Sequence, residues 1–209
     1  MSEKNTGTNR EITEQYNYDY SDRFSLEDNA GRRIYLNCEI DESVIDDAVY
    51  HILRYNRLDK GIPVEDRKPI VLYINSPGGC VTDGYSLIDA IRLSKTPVYT
   101  VNLALAASMG FLIFIAGHKR FAMPHAEFLM HDGSTMGYDS TAKMRDRMEF
   151  ETVELEKETR QYILSRTKID EKLYEEKYRV EWYFLPKTAK DIGAVDYIIG
   201  QDCELDEII

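Results

Sequence analysis

The apolar positions of this chain change period along its length, and each change marks a different kind of element. Residues 33–37, Arg-Ile-Tyr-Leu-Asn, read as a short strand. From Val44 the apolar residues Val44, Ile45, Ala48, Val49, Ile52 and Leu53 recur at helical spacing, which predicts a helix with one buried stripe. A polar connection over 57–68 follows. Ile70-Val71-Leu72-Tyr73-Ile74 then runs without alternation, the pattern of a parallel strand covered on both faces. Asn75-Ser76-Pro77-Gly78-Gly79 breaks it. A helical pattern over 83–95, Pro97 and a second buried strand over 98–103 complete a strand-helix-strand crossover.

Ala106-Ala107-Ser108-Met109-Gly110 precedes the apolar run 111–116, which Gly117 closes, so a fully buried helix with a glycine stop is expected there. Two short strands follow, over 120–122 and 127–130. A charged helix over 141–166 carries Met144, Met148, Leu155 and Tyr162 on one stripe, and its length predicts that part of it projects or packs on another subunit. A helix over 171–178, an aromatic strand over 182–184, a helical turn over 187–192 stopped by Gly193 and a hydrophobic tail over 194–199 complete the pattern. Residues 1–30 are polar, dotted with tyrosine and without a period, and read as a mobile arm or a segment ordered by a partner. The rest, 31–209, reads as one α/β domain.

Composition narrows the function classes. With 209 residues and 43% hydrophobic content the chain can bury one sizeable core. Its 26 basic against 37 acidic residues give a net charge of −11, which would repel phosphate backbones and anionic lipid, so neither nucleic acid nor a membrane surface is expected as a partner. No stretch approaches the ~20 apolar residues of a membrane span, and the N-terminus lacks a signal-peptide core, so a cytoplasmic protein is expected. Cys38, Cys80 and Cys203 are too few and too scattered for a disulfide framework or a zinc site. No metal and no cofactor are expected.

Candidate chemistry sits where strands end. Ser76-Pro77-Gly78-Gly79 lies between a strand and a helix, where open α/β sheets hold their ligands, although a plain tight turn accounts for it equally well. Ser108 holds the equivalent place one strand later. Its small neighbours permit the sharp strand-to-helix turn that lifts a nucleophile out of the backbone, and the competing role is a helix N-cap. Among four histidines, His51 falls on a polar helix face and His118 and His125 in turns, whereas His131 ends the apolar run Phe128-Leu129-Met130 at the edge of the core. It is either a general base or a structural imidazole.

Taken together and in order, Leu72 to Gly79, Ala106 to Gly110, Met130-His131 and Asp191-Ile192-Gly193-Ala194-Val195-Asp196 resemble the ClpP family, the proteolytic subunits of Clp proteases, over about residues 33–199. The resemblance implies a ClpP/crotonase-like α/β fold with a long handle helix, here the helix from Thr141. It further implies heptameric rings stacked in pairs and an unfoldase ATPase that feeds unfolded protein or peptides to serine endopeptidase sites. Ser108 matches the family's nucleophile, His131 its general base, and Gly79 and Met109 its oxyanion-hole N–H donors.

The chain also departs from the family. Counting along it puts Lys177 where the orienting aspartate belongs, so the adjacent Glu176 is the candidate third triad member, with Glu175, Asp132 and Glu181 as more distant substitutes. Asp132-Gly133 replaces the usual Gln-Pro, Ala104-Leu105 replaces Gly-Gln, and the polar arm is unlike the family's axial loop. Rival readings are a catalytically weak or inactive ring subunit with a structural or regulatory role, a phage-type relative that processes a dedicated partner, and an acyl-CoA enzyme on the same fold.

Overall fold

Alternate side chains of β2 (Ile70–Ser76) enter two different apolar layers, which is why its sequence does not alternate. Ile70, Leu72 and Ile74 join the main core, while Val71 and Tyr73 pack on the other face with Val101, Phe121, Ile199 and Ile208. The computed structural model describes residues 27–133 and 139–208, so the polar arm lies almost wholly outside the described residues. β2 runs parallel between β1 (Arg33–Leu36) and β3 (Val98–Ala107), and β4 (Lys119–Ala122) and β7 (Tyr197–Ile198) extend the sheet in the order β1-β2-β3-β4-β7. This is the α/β architecture with a parallel sheet that the sequence predicts.

β3 runs on to Ala107, beyond the predicted end at 103. Its pairing with β2 passes from Ile74↔Asn102 to Ser76↔Ala106, so β3 advances four residues while β2 advances two. The extra residues form an irregularity that re-aims the strand. The first half of β3 pairs with β4, and the second half, Leu105 to Ala107, pairs with β5 (Glu127–Met130). β6 (Trp182–Phe184) then adds antiparallel to β5.

A π-helical turn (Ile45–Val49) leads into α1 (Tyr50–Leu58), and the buried stripe there is narrower than the sequence predicts. Val44, Ala48 and Ile52 are buried at i, i+4 and i+8, whereas Ile45 and Leu53 face out. α2 (Val81–Leu93) packs on α3 (Met109–Ala116), and every residue of α3 is buried. A helix enclosed in this way needs partners for its last carbonyls. Arg166 supplies them, donating from Nε to Ile115 O at 2.8 Å and from Nη2 to Gly117 O at 2.8 Å, while the Tyr162 hydroxyl donates to Leu112 O at 2.9 Å.

Arg166 and Tyr162 belong to the inner end of the charged helix, which forms in three pieces: α4 (Thr141–Glu149), a π-helical stretch (Phe150–Leu155) and α5 (Glu156–Arg166). The single stripe of the sequence reading therefore divides. Tyr162 and Ile163 enter the core, whereas all of α4 is exposed, with Met144, Met148, Phe150 and Val153 open to solvent. α6 (Glu171–Lys177) starts where the Asp170 carboxylate accepts from Leu173 N at 2.8 Å, and α7 (Pro186–Asp191) starts on proline.

Candidate active site

The turn after β2 is built on two glycines with left-handed backbone, Gly78 at φ +100° and Gly79 at φ +142°. Ile40 clamps it from the side: Ile40 N donates to Gly78 O at 2.8 Å, and Cys80 N donates to Ile40 O at 2.7 Å. In that parallel bridge between residues 40 and 79, the Gly79 N–H points away from Ile40. A Cβ on Gly78 would lie 2.6 Å from Cβ of Ser108, so the glycine is what lets the turn and Ser108 touch.

Ser108 joins β3 to α3 at φ +54° and ψ −123°, and with Arg32 it is one of two non-glycine residues of positive φ among those described. Such a conformation costs about 1–3 kcal/mol and persists only where its surroundings impose it. Three neighbours impose it here. Ser108 N donates to Leu129 O at 2.9 Å, and its carbonyl accepts from Phe111 N at 3.0 Å and Leu112 N at 3.2 Å. The side chain makes no capping hydrogen bond, so the N-cap reading of the serine does not describe its hydroxyl. Met109, the first residue of the helix, has an N–H without an intrahelical acceptor.

Gly78→Ala is expected to lower kcat/KM for a peptide by about 100-fold or more, since displacing a reacting group by ~1 Å has that effect. Peptide hydrolysis by the purified variant, with its thermal midpoint as a check on folding, measures this. A variant of normal activity would show that the close approach does not matter.

His131 stands one residue beyond β5, and two registers fix its place. Ala107 pairs with Leu129, which brings the end of β5 beside Ser108. Met130 pairs with Trp182, so the next residues along, His131 and Glu181, are opposite one another on an antiparallel ladder. Their side chains meet: Nδ1 of His131 lies 3.0 Å from Oε1 of Glu181, whose Oε2 accepts from the Tyr183 hydroxyl at 3.2 Å. That bond holds the Tyr183 hydroxyl above its ordinary pKa, as a donor. Ser108 and His131 are not hydrogen-bonded to each other among the described residues, a looseness common in catalytic pairs before substrate binds.

Glu176, the acid expected from counting along the chain, is not at the imidazole. Its Oε1 lies 2.7 Å from Nζ of Lys177, which holds the Glu176 carboxyl below the usual range. Lys177 is thereby turned toward Glu176, with Nζ also 5.8 Å from the centre of the Trp182 ring. Glu175 is engaged by Arg160 at 2.7 Å, and Asp132 is exposed. The physical reason is that Glu175 and Glu176 sit on the solvent side of α6, whereas His131 is met across the sheet by the residue before β6. Sequence counting ranked Glu181 low, and the signal that could have raised it is the antiparallel pairing of two short strands.

Nδ1 of His118 accepts from Val98 N at 3.1 Å, and loss of solvent around the ring, against the contact with Val98, lowers its pKa. His51 is half-buried between Tyr50 and Tyr55, not solvated as its helix face suggested, and His125 is exposed. No group of three or more His, Cys, Asp or Glu side chains among the described residues could hold a metal ion, and no described helix is long and apolar enough to cross a membrane.

A family model described as Clp protease matches residues 14–202, beginning inside the polar arm. The ATP-dependent Clp protease proteolytic subunit 2 of Corynebacterium glutamicum is 34% identical over 171 residues, covering 80% of this chain and 81% of that protein. Subunit 1 of Frankia casuarinae is 32% identical over 176 residues, 82% of this chain and 78% of that protein. Subunit 3 of Parasynechococcus marenigrum is 33% identical over 178 residues, with coverage of 83% and 84%.

Proposed function

We propose that this chain, which belongs to the Clp protease family and is a serine peptidase of the ClpP type, cleaves peptides and unfolded polypeptides with Ser108 as nucleophile and His131 as general base. The Ser108 oxygen attacks the scissile carbonyl carbon as its proton passes to Nε2 of His131; the imidazolium then returns that proton to the leaving amine. Water enters the acyl-enzyme by the same route in reverse and frees the serine. The N–H groups of Gly79 and Met109 receive the oxyanion, both being backbone donors held in place before the reaction begins.

The observation that carries this reading is the strained turn at Ser108: a residue kept at positive φ beside Gly78, with its hydroxyl making no helix-capping hydrogen bond. The rival reading of a silent ring subunit stood on the lost aspartate, and the carboxylate at His131 argues against it.

Assembly into paired heptameric rings is part of the proposal, because Met144, Met148, Phe150 and Val153 on and after α4 are left exposed by the described residues. A Clp-type ATPase unfoldase as partner is supported by the relatives, which are proteolytic subunits of ATP-dependent Clp proteases, and a cytoplasmic setting is part of the same proposal. Labelling the assembled protein with a fluorophosphonate, followed by mass spectrometry, is expected to give one adduct, on Ser108. An adduct elsewhere, or none where a control protease is labelled, overturns the reading. Mass photometry tests the ring, and a stable single chain would refute it.

A further inference from the structure

We infer that the face of the sheet turned away from the main core is a peptide-docking face, and that the chain occupies it with its own residues 203–208, anchored by Ile208. The inference does not depend on the roles of Ser108 and His131. Its ground is how a parallel sheet is covered. Such sheets are normally closed on both faces by their crossover helices. Among the described residues the helices close one side only, since no residue of α1 to α7 belongs to the second apolar layer.

That layer is a row of facing residues. Tyr73 pairs with Val101, Val101 with Phe121 and Phe121 with Tyr197, so β2, β3, β4 and β7 each place one apolar residue on the same face. Left open, such a band is the kind of apolar patch that marks a binding surface. The chain closes it with one short segment. After β7, the Asp202 carboxylate turns the backbone, accepting from Ile198 N at 2.7 Å and pairing with Lys190 of α7. A single helical turn, Leu205–Glu207, closed by reciprocal bonds between Glu204 and Glu207, then delivers Ile208 into the layer. Ile208 is 7% exposed and its carbonyl accepts from the Tyr73 hydroxyl at 3.4 Å, whereas Leu205 on the same turn is 46% exposed. Burying one isoleucine gains about as much as ordering one or two residues costs. The segment is therefore held in near balance, and when it is released the face takes an equivalent segment in trans: a short turn that carries one aliphatic anchor.

The experiment compares the full wild-type chain with Ile208→Asp and with Leu205→Asp, which puts the same charge at an exposed position of the same turn. Hydrogen exchange of the amides of 203–208 is expected to speed up about 10- to 100-fold in Ile208→Asp, the factor equivalent to one lost aliphatic burial, and to stay within about threefold in Leu205→Asp. A fluorescent peptide of residues 204–209, Glu-Leu-Asp-Glu-Ile-Ile, is then titrated onto each protein. It should bind Ile208→Asp saturably and at least about tenfold more tightly than wild type or Leu205→Asp, whose faces are filled. The same peptide with aspartate at position 208 should not bind.

Unchanged exchange in Ile208→Asp, no binding of the peptide to that variant, or binding to wild type of equal strength overturns the inference. If Ile208→Asp does not fold, Asp202→Ala tests the same segment by loosening the turn that sends it back over the sheet. Exchange of 203–208 and affinity for the peptide should then both rise about tenfold, the scale of one lost hydrogen bond to a charged group. An Asp202→Ala protein that neither exchanges faster nor takes up the peptide overturns the inference as well.

Discussion

Ser108→Ala is expected to reduce turnover of a peptide substrate by about 10⁶-fold, the size of loss seen when the nucleophile of a serine protease is removed. What survives should be the small acceleration that oxyanion donors and binding supply without covalent chemistry. The folded state should be nearly indifferent. Alanine occupies the same unfavourable backbone conformation, the three backbone hydrogen bonds of residue 108 remain, and the lost hydroxyl capped nothing. The variant should therefore assemble with an unchanged thermal midpoint while its kcat vanishes, and a variant that keeps more than about 1% of wild-type kcat contradicts the assignment of the nucleophile.

Asp59→Ala should have the largest effect on stability. Asp59 is 1% exposed and grips Arg32 with both oxygens at 2.6 Å, while the Thr96 hydroxyl donates to its Oδ2 at 2.8 Å. Arg32 is itself held at φ +59° and donates to Lys68 O at 2.9 Å, so the pair locks the entrance of β1 to the end of α1. Breaking one side of a buried pair costs about 3–5 kcal/mol, because the remaining charge keeps its desolvation penalty. Denaturant unfolding at pH 7 measures the difference.

The same pair sets an acid limit. The hydrogen bonds from Arg32, and after them the one from Thr96, hold the Asp59 carboxyl below the usual range. A depressed folded-state value means that the stabilisation is complete above the unfolded carboxyl's pKa of about 3.9 and is lost as pH falls through the lower, folded value. The gap between wild type and Asp59→Ala should accordingly be constant from pH 7 down to about pH 5 and shrink below pH 4. A gap that instead grows on acidification would mean that another group governs the acid transition.

Much of this was legible in the chain. Ile70 to Ile74 announced a doubly covered strand, 111–116 a helix without a polar face, and the small residues around Ser108 a sharp turn, since each depends on neighbours within a few positions. The extension of β3 to Ala107 was hidden because its irregular residues, Leu103 to Leu105, break the strand pattern while staying in the sheet. The π-helical stretch at Phe150–Leu155 escaped because a period of 3.6 contains no signal for a wider turn. The acid at His131 escaped for a different reason. Counting from Gly193 fell on α6, whereas the carboxylate that meets His131 stands just before β6, and a pairing between strands of four and three residues leaves little trace in sequence.

β3 serves two partners in succession, β4 with its first half and β5 with its second, and Ser108 lies immediately past the second. Neither half alone makes the turn at Ser108. That turn also needs Gly78, clamped by Ile40 from near the beginning of the domain, and the imidazole of His131 meets Glu181, 50 positions further along. Joining segments so distant in the chain carries a loop-closure penalty, and such contacts form late in folding. A chain still leaving the ribosome at Met130 has a serine and no oriented base. On the proposed reading of Ser108 and His131, the site is complete only once β5 and β6 have paired.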